Sequence, residues 1–233
     1  MEIRNQIVVI SVQQVRTSRI CAPYSIRARV ANLAYTDFTL ETAETLLGVR
    51  ARVGDLFPTL VPAIVPDWLH DFLARGRQLA LFSDKARSEF IVGPILLACR
   101  ELSGSSLAIF SGPRLDVDPS RGLMGECDFL LALSEPLPRL RAPIVAMVEA
   151  KKNDIESGLG QCVAQMVAAR AYNERDDSKD RTLHGCVTTG EARQFLQLEA
   201  ANVTIDRSRI YIDNVAGILG MFQAIIAQHQ KLT

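Results

Sequence analysis

Gly125-Glu-Cys-Asp128-Phe-Leu-Leu-Ala-Leu133 and Pro143-Ile-Val-Ala-Met-Val-Glu149-Ala-Lys151-Lys152 are apolar runs joined by a short proline-broken connection. Each reads as a buried strand, and each carries acid where a core strand should have none. Alternation along a strand puts Glu149 and Lys151 on one face with Val145 and Met147, and Ile144, Val148 and Ala150 on the other. An acid and a lysine therefore emerge together at one strand end. Charge in an apolar strand costs free energy unless it is paired or binds a metal, so these positions read as functional or salt-bridged.

The rest of the sequence is ordinary globular material: 233 residues, 48% hydrophobic, with a formal net charge of zero. That length supports one sizeable core, alone or with an appended piece. Zero net charge gives no support to recognition of nucleic acid by bulk charge, although a local basic groove stays compatible with it. The five cysteines, Cys21, Cys99, Cys127, Cys162 and Cys186, show no C-x-x-C spacing. They read as reduced core thiols of a cytoplasmic protein. The opening Met-Glu-Ile-Arg-Asn-Gln has an early acid and only a short apolar run after it, unlike a signal peptide. The apolar stretches Phe90 to Cys99 and Val215 to Ala227 are shorter than the roughly 18 to 20 residues that span a bilayer. The expectation is a soluble protein with no membrane partner.

Ile7 to Val12 reads as a strand. Helical patterning runs from Thr39 to Leu47 and ends at Gly48; Pro58, Pro62 and Pro66 then punctuate a loop. Pro66-Asp67-Trp68 opens a helix to about Arg75, stopped by Gly76, with Trp68, Leu69, Phe72 and Leu73 as its apolar stripe. Residues 1–75 are read as a strand and helical extension packed on a core of residues 76–233. Ser83-Asp84 can cap a long helix through Glu101 that contains Glu89 and is kinked at Pro94. A strand at Leu107 to Phe110, a loop or hairpin from Ser111 to Pro119 and the two opening strands follow. A helix then runs from Ser157-Gly158 to Asn173. Strands at His184 to Thr188, Gln194 to Leu198 and Ile205 to Ile212 precede a helix capped by Asn214 and reaching Gln230. The order predicts an α/β fold with a mixed central sheet flanked by helices.

An E-x-K tripeptide by itself says little, since a chain of this size holds roughly one by chance. Here it ends an apolar strand, an aspartate sits in the strand before, a helix follows, and a glutamate lies in the preceding helix. In these features residues 83 to 190 resemble the PD-(D/E)xK, or restriction-endonuclease-like, nuclease superfamily. The resemblance implies an αβββαβ core. It matches Asp128 to the first motif acid, Glu149 to the second, Lys151 to the lysine and Glu89 to the acid of the first core helix. Gln161 and Gln165 resemble the glutamine that some branches place beside the site. The RecB-like branch has Q-x-x-x-Y there, whereas this chain has Gln161-x-x-x-Gln165 with Tyr172 further on, so no branch is assigned.

The chemistry that the resemblance implies is metal-dependent phosphodiester hydrolysis, on DNA in preference to RNA. Mg²⁺ or Mn²⁺ would be held by Asp128, Glu149 and the Ala150 carbonyl. Lys151 would orient or deprotonate the attacking water, and Glu89 would support a second ion or a metal-bound water. Such nucleases often act as dimers, so a homodimer built on the N-terminal extension is a further expectation.

Each residue also has a plainer reading. Asp128, Glu149 and Lys151 can be a structural ion pair, Glu89 a solvent-facing helix residue, and Gln161 with Gln165 polar residues on a helix flank. Glu126 is an extra ligand or a strand-edge charge, and Cys127 points away from Asp128 into the core. Arg114, Arg121, Arg139, Arg141 and Lys152 line a phosphate groove or merely solubilise. His70, His184 and His229 are isolated in sequence and supply neither a zinc site nor a serine triad. No glycine-rich phosphate loop occurs. The alternatives to a nuclease are a catalytically silent protein of the same fold that binds nucleic acid or serves as an assembly subunit, and an interaction protein with a structural ion pair.

Overall fold

The computed structural model describes residues 33–79, 82–104, 107–176 and 182–231. The strand expected at Ile7 to Val12, and Cys21, lie outside them. The described residues form an α/β fold around one mixed sheet of eight strands flanked by helices. In chain order the strands are β1 (Arg50–Gly54), β2 (Ala108–Ser111), β3 (Phe129–Ala132), β4 (Ile144–Ala150), β5 (Leu183–Thr188), β6 (Ala192–Glu199), β7 (Asn202–Asp206) and β8 (Ile210–Tyr211). The helices are α1 (Leu40–Leu47), α2 (Asp67–Gly76), α3 (Asp84–Arg87), α4 (Gly93–Leu102), α5 (Glu156–Arg175) and α6 (Val215–Gln230).

Local chemistry explains most helix ends. Thr39 and Thr42 cap α1 reciprocally, and Gly48 closes it at φ 71°, where a side chain would be strained. Ser83 Oγ accepts from Ala86 N at the start of α3, and Asn214 Oδ1 accepts from Gly217 N at the start of α6. The long helix expected from Ser83-Asp84 through Glu101 is three consecutive helical pieces. The chain passes from α3 through a π-helical turn, Ser88–Val92, directly into α4, and Pro94 stands in the first turn of α4.

The sheet runs β1-β7-β6-β5-β4-β3-β2, with β8 also on β6. β2, β3 and β4 form an antiparallel meander; α5 then carries the chain over so that β5 lies parallel to β4. Three details differ from the sequence reading. β1, whose Arg50-Ala-Arg-Val-Gly has no apolar run, pairs in parallel with β7 and joins the same sheet. The strand expected over Ile205 to Ile212 is two: Asp206 Oδ1 accepts from Ser208 N, turning the chain so that β8 pairs with β6. Strict alternation in β4 also fails, because the ladder with β3 slips between Leu131 and Ala132. That bulge puts Val145 with Ala146 and Val148 in one apolar cluster, while Ile144 and Met147 join the other.

The two clusters are the two faces of the sheet. α1 and α5 cover one and α2, α4 and α6 the other. α5 is buried over much of its surface, and Gly160 lets it approach the main chain of Phe38 and Thr39, where a Cβ would collide. On α2, Leu69 and Leu73 are buried while Phe72 faces out. Among the described residues, no helix is long and apolar enough to cross a membrane.

Candidate functional site

Every residue of β4 is buried, Glu149 included at 3% exposure, because the strand lies inside the sheet with helices on both sides. A short turn follows in which the Asp154 carboxylate accepts from Glu156 N and Ser157 N, starting α5 at once. That quick reversal lays the first half of α5 across the end of β4. Gln165 Nε2 donates to Glu149 Oε2 at 2.9 Å, and Lys151 Nζ lies 3.0 Å from Glu149 Oε1 and donates to Gln161 Oε1 at 2.7 Å. Asp128 stands just before β3 rather than inside it; its Oδ2 accepts from Ala150 N at 2.7 Å, continuing the β3–β4 ladder with a side chain. Asp128 lies close enough to Glu149 for each carboxyl group to shift the titration of the other.

The structure thus brings Asp128, Glu149, Ala150, Lys151, Gln161 and Gln165 into one contacting group. Glu89 stands apart from that group, on the π-helical turn, half-exposed and 3.7 Å from Lys85. It lines, with Asp128, Glu126 and Lys85, a cleft of about 390 Å³. Cys127 is buried, and burial pushes its thiol well above the ordinary range, so it is no nucleophile. Arg114 pairs with Asp116, and Arg121 lines a different cavity with Arg170, near the far end of α5.

Burial is the main reason that the Glu149 carboxyl is pushed up to about 7. The Asp128 charge pushes the same way, against Lys151 and the Gln165 amide. Burial also raises Asp128, against the pull of the Ala150 N–H, Lys151 and Glu149. The Asp128 charge raises Glu149 while a hydrogen bond with Glu149 lowers Asp128, so the two titrate as a pair, and a bound cation would relieve the repulsion that a proton otherwise relieves. The donors here are hard oxygens, which suit Mg²⁺ or Mn²⁺. Gln165 Oε1 is a further buried oxygen with no hydrogen-bond partner. Among the described residues no group of three His, Cys, Asp or Glu comes together to hold a metal. Two carboxylates, those of Asp128 and Glu149, would suit an ion that keeps several waters, as Mg²⁺ does.

Other residues shape the site without any signal in a single sequence. Gly158 gives the Lys151 stem its room: a Cβ there would stand 3.0 Å from Lys151 Cγ and 2.6 Å from Val187 Cγ1. Lys151 N donates to Thr188 O at 2.7 Å, and two arginines hold the turn that follows: Arg87 Nη1 donates to Thr189 O, and buried Arg193 donates to Gly190 O. His184 and His229, isolated in sequence, meet across the fold, with Nδ1 of one 3.1 Å from Nε2 of the other. The sequence matches no protein-family model, and no curated protein is significantly similar to it.

Proposed function

We propose that this protein is a metal-dependent nuclease with a restriction-endonuclease-like core, acting on DNA in preference to RNA. The observation that carries the reading is the buried Glu149 carboxyl at the end of a buried strand, with Lys151 3.0 Å from it and Asp128 accepting from the N–H of the next residue, Ala150. Element order supports it as well: the helical stretch from Asp84 to Leu102, the meander β2-β3-β4, then α5 and parallel β5 follow an αβββαβ sequence.

In this reading Asp128, Glu149 and the Ala150 carbonyl would hold Mg²⁺ or Mn²⁺, which when bound would lower the pKa of a water and supply a countercharge for the phosphoryl oxygens. Lys151 has three N–H groups; two meet Glu149 and Gln161, which leaves one to orient the attacking water or a phosphate oxygen. Gln161 and Gln165 hold Lys151 and Glu149 in place. Glu89, across the cleft, accepts a hydrogen bond from a bound water or supports a second ion.

A second reading has its own observation. Both Glu149 oxygens already have partners in Lys151 and Gln165, as expected of a catalytically silent protein of this fold that binds nucleic acid or acts as an assembly subunit. Cleavage of labelled DNA with Mg²⁺ or Mn²⁺ separates the two. The nuclease reading expects cleavage by wild type, with Asp128→Asn and Lys151→Ala slower by about 10²- to 10⁴-fold. Equal background cleavage by all three proteins contradicts it and leaves the silent protein.

A further inference from the structure

Beside the proposed site stands an aromatic ring that the core does not use. Phe82 is 77% exposed, and Lys152 Nζ lies 3.8 Å from its ring centroid. One adjoins the strand that carries Glu149, the other the helical stretch that carries Glu89. Lys152 directly follows Lys151 at the end of β4, and Phe82 directly precedes Ser83, the cap of α3, which leads to Glu89 on the cleft wall. An exposed aromatic is unremarkable at a random surface position. Here it is held by the cation that follows Lys151 of the proposed site in the chain.

We infer that Phe82 and Lys152 form a platform on which an unpaired nucleobase stacks, with the Lys152 ammonium meeting the adjoining phosphate, so that the substrate is single-stranded or locally unpaired nucleic acid. The inference rests on the nuclease reading and narrows its substrate class. Every base has a π face, so an aromatic platform binds strands with little sequence preference, and a nearby ammonium adds the salt-dependent contact to the backbone. Paired bases in a duplex hide those faces in their own stack; a platform can use only a base that is already free or has been extruded.

The test is fluorescence anisotropy of the full chain with a labelled oligothymidylate and with a duplex of equal length, using Ca²⁺ in place of Mg²⁺ to limit cleavage. Wild type should bind the single strand more tightly than the duplex. Phe82→Ala should weaken single-strand binding by about 5- to 150-fold, the value of one aromatic stack, and leave duplex binding unchanged. Phe82→Trp should retain affinity and show quenched emission when the strand binds, and Lys152→Ala should lower the salt slope by about one phosphate. Phe82 is exposed, so these variants do not threaten the fold. Undiminished single-strand binding by Phe82→Ala, in a protein that does bind nucleic acid, overturns the platform and leaves the nuclease reading intact. Failure of wild type to bind either nucleic acid overturns both.

Discussion

At one end of β4, Asn173 of α5 clasps Ile144, accepting from its N–H at 2.8 Å and donating to its carbonyl at 2.7 Å. At the other end, two turns earlier on the same helix, Gln165 clasps Glu149. The Asn173 clasp is neutral, buried and satisfied on both sides of the amide. Its neighbourhood matches it: burial pushes His184, on parallel β5, down to about 3, so it sits neutral between His229 and Gln197. The Gln165 clasp holds a buried carboxylate that feels the charge of a second, Asp128, and leaves an amide oxygen without a partner. Folding needs only the first kind of contact. Buried charge that repels its neighbour costs stability, and proteins keep such arrangements where chemistry requires them.

Breaking the charged end should give the largest effect. Glu149→Gln keeps the shape and removes the charge, so DNA cleavage should fall by at least about a hundredfold. In metal-free protein above neutral pH its melting temperature should rise, because the cost of burying the charge is gone and with it the repulsion with Asp128. A melting temperature that falls in parallel with activity would mark Glu149 as a structural partner of Lys151. At the neutral end, Asn173→Ala orphans two buried main-chain groups and should destabilise by roughly 1–3 kcal/mol for each, read as a lower urea midpoint. Any cleavage lost in that variant should return at temperatures where it is folded.

The smallest effect is the pH dependence, which sharpens the contrast by its sign. Glu149 is raised to about 7, above the carboxylate range of an unfolded chain, so its contribution favours the folded state at low pH and is lost as pH rises through about 7. A divalent ion needs the deprotonated form. Metal affinity should therefore climb about tenfold per pH unit below that point and level off above it, while metal-free stability moves the other way. Metal affinity that is flat between about pH 5 and 8 would contradict the assignment of Glu149 as a ligand.

What was legible in the sequence follows the range of the forces involved. Thr39, Gly48, Ser83 and Asn214 mark helix ends because capping acts over a few residues. Asp128, Glu149 and Lys151 stood out because charge in apolar runs needs a reason. β1 was not legible: it is a half-exposed edge strand with arginines in its alternation, and only its pairing with β7 makes it a strand. The bulge at Val145, the meeting of His184 with His229 and the arginine hold on the turn after Thr188 all depend on partners distant in sequence. Glu89 could be placed on a helix, but its facing the cleft depends on the π-helical turn, which resets the phase of the helix beneath it.

In the proposed reading the charged end of β4, and not the neutral one, binds a divalent cation. Calorimetric titration of Mn²⁺ into metal-free wild type, Glu149→Gln and Asn173→Ala at about pH 8, where Glu149 is ionised, tests it most directly. Saturable binding to wild type and to folded Asn173→Ala, abolished in Glu149→Gln, is the predicted result. Binding that survives Glu149→Gln would contradict the account and put the metal elsewhere.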